Sequence, residues 1–127
     1  MDIAGLNQIT GIIVDSAIAV HSALGPGLLE STYQACLAWE LRHRDLNVAA
    51  EVGLPVIYRS QRLEIGYRID LMVENSIILE IKSVDAIAPI HRAQLLSYLK
   101  LSGKPLGLLL NFNVPLMKDG IVRMRNG

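Results

Sequence analysis

Cysteine is almost missing from this chain: Cys36 stands alone. One thiol closes no internal disulfide, so a hydrophobic core must hold the fold, and a reducing compartment suits it. Cys36 itself reads as a small buried helix residue. Net charge is missing as well. Lys and Arg together number 12, as do Asp and Glu, so the formal net charge is zero. That argues against a generic polyanion binder and leaves room only for a local basic patch. Long apolar runs are absent too. Uncharged stretches such as "SAIAVHSALGPGLL" last about 14 residues and contain proline, short of the roughly 20 that a membrane span needs. The opening "MDIAGLNQ" has no basic n-region, so a secretory signal is not expected. The expectation is a soluble cytoplasmic protein with no membrane partner.

Several chemical signatures are also missing. His21 and His43 have no Cys or His at metal-ligand spacing, so zinc is not expected. "GPGLLE" lacks the spacing of a P-loop or a dinucleotide fingerprint, and no Gly-x-Ser-x-Gly elbow occurs. There is no internal repeat, low-complexity tract or linker, so residues 1–127 read as one domain.

What is present is an apolar half: 51% of residues are hydrophobic. Ile9, Ile12, Ile13, Ala17 and Val20 fall at helical spacing within residues 6–23, and "GPG" at 25–27 ends that helix. Residues 28–44 read as a second helix whose "RHR" end is solvated. The period then changes to that of strands over 52–58, 62–73 and 76–84. A third helix covers 89–102, with Pro89 in its first turn. A strand over 105–113 has the continuous apolar character of one covered on both faces. "KDGIVRM" supplies an Asp-Gly turn and a last short strand. The order is ααβββαββ, an α/β sandwich around a mixed sheet.

Against that background "IILEIKS" at 77–83 is odd, because it places Glu80 and Lys82 in an apolar strand. Burying an unpartnered charge costs several kcal/mol. Strand alternation puts Glu80 and Lys82 on one face and Ile77, Leu79 and Ile81 on the other. If "ENS" at 74–76 is a three-residue hairpin loop, Val73 pairs with Ile77 and Asp70 falls opposite Glu80. Carboxylates that close repel one another, and a divalent cation between them would remove the repulsion. An ordinary cross-strand charge group explains Asp70, Glu80 and Lys82 equally well. Glu30 lies on the same line of the second helix as Leu37 and Leu41, on the apolar stripe, although a carboxylate at a helix start is also favoured by the dipole. Gln94 and Tyr98 share a side of the third helix with His91, and they suit either substrate positioning or a boundary where a packed ring keeps a wet hydroxyl.

Taken together, "GLLESTY" at 27–33, "YRIDLMV", "LEIKSV", "PIHRAQLLSYL" and "LLLNFN" resemble the GxxExxY protein family of the PD-(D/E)XK nuclease-like superfamily. The resemblance runs from about residue 9 to residue 125. It implies a restriction-endonuclease-like core, a mixed β-sheet flanked by helices. By motif it makes Glu30 the helix acidic residue, Asp70 the central metal ligand, and Glu80 with Lys82 the ExK pair. Gln94 and Tyr98 then match a downstream Gln-x-x-x-Tyr element that positions substrate, and Tyr33 of the first motif joins them. Ile69 stands where the motif's proline would be. The implied chemistry is metal-assisted phosphodiester hydrolysis. Asp70, Glu80 and the Ile81 backbone carbonyl would hold Mg²⁺ or Mn²⁺, Glu30 would act through water, and Lys82 would orient water or stabilise the transition state. The implied partner is nucleic acid, DNA before RNA. Two rivals are a non-catalytic module of nuclease fold that binds nucleic acid or a protein, favoured by the neutral charge, and a hydrolase of smaller phosphoesters. Oligomeric state is left open, a homodimer included.

Overall fold

A computed structural model describes residues 2–127; Met1, the first residue of the expected domain, lies outside the described residues. Helix α1 spans Ile3–Leu24 and is capped by Asp2, whose carboxylate accepts the Gly5 N–H at 2.9 Å. Its inward stripe carries Leu6, Ile13, Ala17 and Val20. By length and composition α1 could cross a bilayer, a property that the expectation from shorter uncharged runs overlooked; its stripe is spent on the core instead. Gly25 ends it with φ 70°, a left-handed conformation that favours glycine.

Helix α2 spans Glu30–His43, later than the pattern suggested, and leaves Leu28 and Leu29 exposed before it. Strand β1 (Val48–Tyr58) follows, then β2 (Gln61–Val73), β3 (Ile77–Lys82), α3 (Pro89–Ser102), β4 (Leu106–Asn111), a 3-10 turn (Met117–Gly120) and β5 (Ile121–Arg125). The expected ααβββαββ order is the observed one. The Asp-Gly of "KDG" closes that 3-10 turn rather than a tight hairpin.

The sheet runs β1-β2-β3-β4-β5. β3 and β4 are parallel and the other neighbours antiparallel, so the sheet is mixed. The parallel pair needs a crossover, and α3 supplies it. All six residues of β4 are buried, as the unbroken apolar run demands. α1 and α2 cover one face through a cluster containing Leu37, Leu41, Leu71, Leu79 and Leu108. α3 covers the other through a smaller cluster of Ile69, Ile78, Leu95, Leu99 and Leu109. Gly107 permits this second contact: a Cβ there would meet the Leu95 side chain at 2.7 Å.

Candidate active site

Val73 pairs with Ile77 across the three-residue "ENS" turn, as the loop length required. The ladder continues to Leu71 opposite Leu79, and the next positions in register are Asp70 and Glu80. Here side chains replace the ladder. The Asp70 N–H donates to Glu80 Oε2 at 2.9 Å, and the Ile81 N–H donates to Asp70 Oδ2 at 2.8 Å. Each carboxylate thus caps the strand that carries the other. Among the described residues no second partner bonds Asp70 Oδ1 or Glu80 Oε1, and no buried polar side-chain atom is left unsatisfied. These two oxygens therefore remain open to solvent.

The surroundings work against ionisation. Burial raises the Asp70 carboxyl above its usual range, opposed by the Ile81 N–H and Lys82 and reinforced by Glu51 and Glu30. Burial pushes Glu80 up to about 8, helped by the charge of Asp70 and partly offset by the Asp70 N–H and Lys82. Glu80 is only 4% exposed. Lys82, two residues on, makes no ion pair among the described residues and lines a cleft with Gln94 and Tyr98 of α3. Tyr98 is buried, and burial followed by the charge of Glu80 holds its hydroxyl in the protonated, donating form. His91 borders the same cleft; its Nδ1 accepts the Ala88 N–H at 3.0 Å, which leaves Nε2 to carry the proton.

Glu30 sits differently from the expectation that it lies on an apolar stripe. It is exposed at the first position of α2, and its Oε2 accepts the Ser83 N–H at 3.0 Å, just beyond Lys82. Its charge reaches Asp70, yet among the described residues no three His, Cys, Asp or Glu side chains are gathered as a ready metal cage. Tyr33 requires a correction. The ring is fully buried, stacked on Phe112 at 4.5 Å, and its hydroxyl donates to the Gly25 carbonyl and accepts the Leu28 N–H. A side chain with no accessible surface cannot position a substrate; Tyr33 ties the "GPG" loop to α2.

Two residues were missed. On β1, Val48 packs on the α2 side but Val52 and Leu54 on the α3 side; on β2, Leu71 packs on the α2 side and Ile69 on the α3 side. Strict alternation would keep each set on one face. The faces swap at Glu51 and Asp70, which stand opposite one another between the pairs Ala50–Leu71 and Val52–Ile69. Glu51 has φ 53°, unusual for a non-glycine residue in a strand. Gln34 of α2 donates to Glu51 Oε1 at 2.8 Å and to the Asp70 carbonyl at 3.3 Å. No sequence signal marked it: in "VAAEV" Glu51 takes the outward position of an ordinary strand alternation.

A sequence profile described as the PD-(D/E)XK nuclease superfamily matches residues 7–124, nearly the whole chain. The chain belongs to that superfamily. The resemblance read from the motifs is borne out at the superfamily level, as is the α/β fold. No curated protein matches. Among solved structures, the crystal structure of SSO0001 is similar, with a TM-score of 0.52 and 24% identity. The match covers 77% of this chain and 50% of that one, so this chain spans half the length of that protein. At that identity the likeness speaks for the fold alone.

Members of the superfamily usually use divalent metals. The donors here fit a hard cation. Asp70 Oδ1 and Glu80 Oε1 are open oxygens on neighbouring strands, and carboxylate oxygens are the donors such an ion prefers. The Ile81 N–H points to Asp70, and a strand residue's carbonyl lies on the same edge as its N–H, so the Ile81 carbonyl borders the same place. Two carboxylates, one carbonyl and water make a ligand set suited to Mg²⁺ or Mn²⁺.

Proposed function

We propose that this domain is a divalent-metal-dependent nuclease that hydrolyses phosphodiester bonds, in DNA before RNA. The observation that carries the reading is the reciprocal Asp70–Glu80 contact at the end of β3, with Lys82 two residues away. Asp70, Glu80 and the Ile81 carbonyl would hold Mg²⁺ or Mn²⁺. When bound, such an ion would acidify water and offset phosphate charge. The residues of the chain do the rest. Lys82, a cation with no ion pair among the described residues, would attract the scissile phosphate and stabilise charge developing on its oxygens. The protonated Tyr98 hydroxyl and the Gln94 amide would donate to phosphate or sugar oxygens from α3. Glu30 would hold the Ser83 backbone, and with it the end of β3, in place.

The test is Mn²⁺-dependent cleavage of single-stranded DNA, duplex DNA and RNA by the parent and by Lys82→Ala. Cleavage by the parent and its loss in the variant supports the reading. Equal cleavage by both proteins overturns it. A second reading, a non-catalytic module of nuclease fold, is favoured by one observation: each carboxylate spends one oxygen on a backbone N–H, the arrangement of a structural cap. That reading expects nucleic-acid binding without cleavage.

A further inference from the structure

The cleft beside Lys82 is larger than a phosphate needs. Its volume is about 500 Å³, within the range of small-molecule sites. It lies between α3 and the outer half of the β1–β2 ribbon. Val56 and Tyr67 come from the ribbon, and Ile90, Gln94 and Ser97 from α3. Lys82 is the sole Lys or Arg among the lining residues. The lip is apolar and exposed: Ile90 is 70% exposed and Tyr67 43%. The Tyr67 ring is tilted 60° to that of Tyr98, with centroids 5.9 Å apart, so its outward face is not stacked on its partner.

We propose that this cleft is a nucleobase subsite, which takes one unpaired base of a single-stranded or frayed nucleic-acid end. The inference rests on the nuclease reading for its orientation and extends it to the substrate. Three observations select this occupant. First, the cleft is continuous with the candidate active site through Lys82, so a phosphate held there would direct its attached nucleoside between Tyr67 and α3. Second, the lining matches a base: an aromatic face and aliphatic walls for the ring, with the Gln94 amide and Ser97 hydroxyl one helical turn apart for its polar edge. Third, the lining has one cation only, which suits a buried base better than a bare phosphate backbone. A base in an intact duplex is stacked and paired on both sides and would have to leave the helix to enter.

The test is fluorescence anisotropy without metal, with three labelled probes of equal length: oligothymidylate, an oligomer of abasic sites, and a blunt duplex. Ser97→Trp fills the cleft from an exposed helix position, and Tyr67→Ala removes the stacking face. Thermal unfolding checks that both variants remain folded. The parent should bind oligothymidylate about tenfold more tightly than the abasic probe or the duplex. Both variants should lose that preference while binding the abasic probe as the parent does. Equal binding of base-bearing and abasic probes by the parent overturns the subsite. So does an undiminished preference in folded Ser97→Trp. Cleavage is read separately. Base-dependent binding without cleavage of any probe keeps the subsite and overturns the nuclease reading. Cleavage of single strands by Ser97→Trp at the parent rate and affinity does the reverse.

Discussion

The two faces of the sheet are built to different standards. The face under α1 and α2 holds the larger cluster, with Ile13, Leu37, Leu41, Leu71, Leu79 and Leu108 all at zero exposure. The face under α3 has a single helix, a smaller cluster and an open cleft at one end. Every carboxyl and hydroxyl group with a raised pKa lies where the thin face meets the end of β3. The difference has a physical logic. Burying apolar area supplies most of the stability, so the thick face can carry the fold. The thin face can then hold two desolvated carboxylates that oppose folding at neutral pH. Substitutions on the two faces should therefore part company, with stability lost on one side and chemistry on the other.

The largest contrast comes from Asp70→Asn. Asparagine keeps the oxygen that accepts the Ile81 N–H and removes the charge that faces Glu80. The metal-free variant should be at least as stable as the parent, while cleavage falls by several orders of magnitude, since each ~1.4 kcal/mol of lost transition-state stabilisation is tenfold. Asp70→Ala should differ, because it leaves the Ile81 N–H without a partner and costs about 1–3 kcal/mol. Denaturant melts of both variants, run beside the nuclease assay, check this. An Asp70→Asn protein that is unstable yet still cleaves DNA would make Asp70 part of a structural charge cluster.

On the thick face, Leu79→Ala should show the opposite balance. Leu79 is fully buried one residue from Glu80, but its side chain enters the α1/α2 cluster. A buried leucine cut to alanine costs about 2–5 kcal/mol. The surviving folded fraction should cleave at the parent's rate per folded molecule. Specific activity normalised by circular dichroism tests it.

How far these positions could be read from the sequence varies by kind. The element order followed from apolar periodicity, and the "ENS" loop alone set the register that brings Asp70 to Glu80. Lys82, Gln94 and Tyr98 followed from alternation and from helical spacing. Four things were not legible. Tyr33 belongs to a motif, and a motif does not say whether a tyrosine is buried. Glu30 falls on an apolar line of α2, but a side chain at the first helical position extends past the end of the stripe. Glu51 and Gln34 were hidden because the ribbon swaps faces at Glu51, and strict alternation carries no notice of such a swap. The reciprocal caps between Asp70 and Glu80 were also invisible, since they replace ladder bonds that the pattern assumes.

A pH series sharpens the comparison further. Glu80 has its folded pKa raised from near 4.5 to about 8. The folded state therefore binds a proton that the unfolded state has lost between those limits. Its contribution to stability is full below about pH 4.5 and disappears as pH rises through about 8. Metal-free protein should lose stability over that window, and Glu80→Gln should flatten the curve. Mn²⁺ must displace the proton, so its stabilising effect should grow as pH rises toward 8. Melting temperatures at several pH values, with and without Mn²⁺, give both slopes. A metal-free stability that rises across the window would contradict the burial of Glu80.

The smallest effect is expected where the two faces exchange. Glu51 adopts φ 53° near the start of β1, and its charge helps to raise both Asp70 and Glu80. Glycine accepts that conformation without steric cost and removes the charge. It also loosens the unfolded chain, which offsets part of the gain. Glu51→Gly should therefore leave metal-free stability unchanged or raise it by up to about 1 kcal/mol, against the usual penalty for glycine in a strand. Gln34→Ala works on the same junction with the opposite sign. It removes the donor that holds Glu51 and the Asp70 carbonyl from α2, while the backbone strain stays. A loss of about 0.5–1.5 kcal/mol is expected, with weaker Mn²⁺ stabilisation because Asp70 is less firmly placed. Urea melts of the two single variants and the double variant resolve the pair. If Gln34 acts by holding Glu51, its effect should shrink in the Glu51→Gly background, and what remains is its bond to Asp70. Full additivity would mean that Gln34 stabilises α2 alone and that the face exchange needs no support from it.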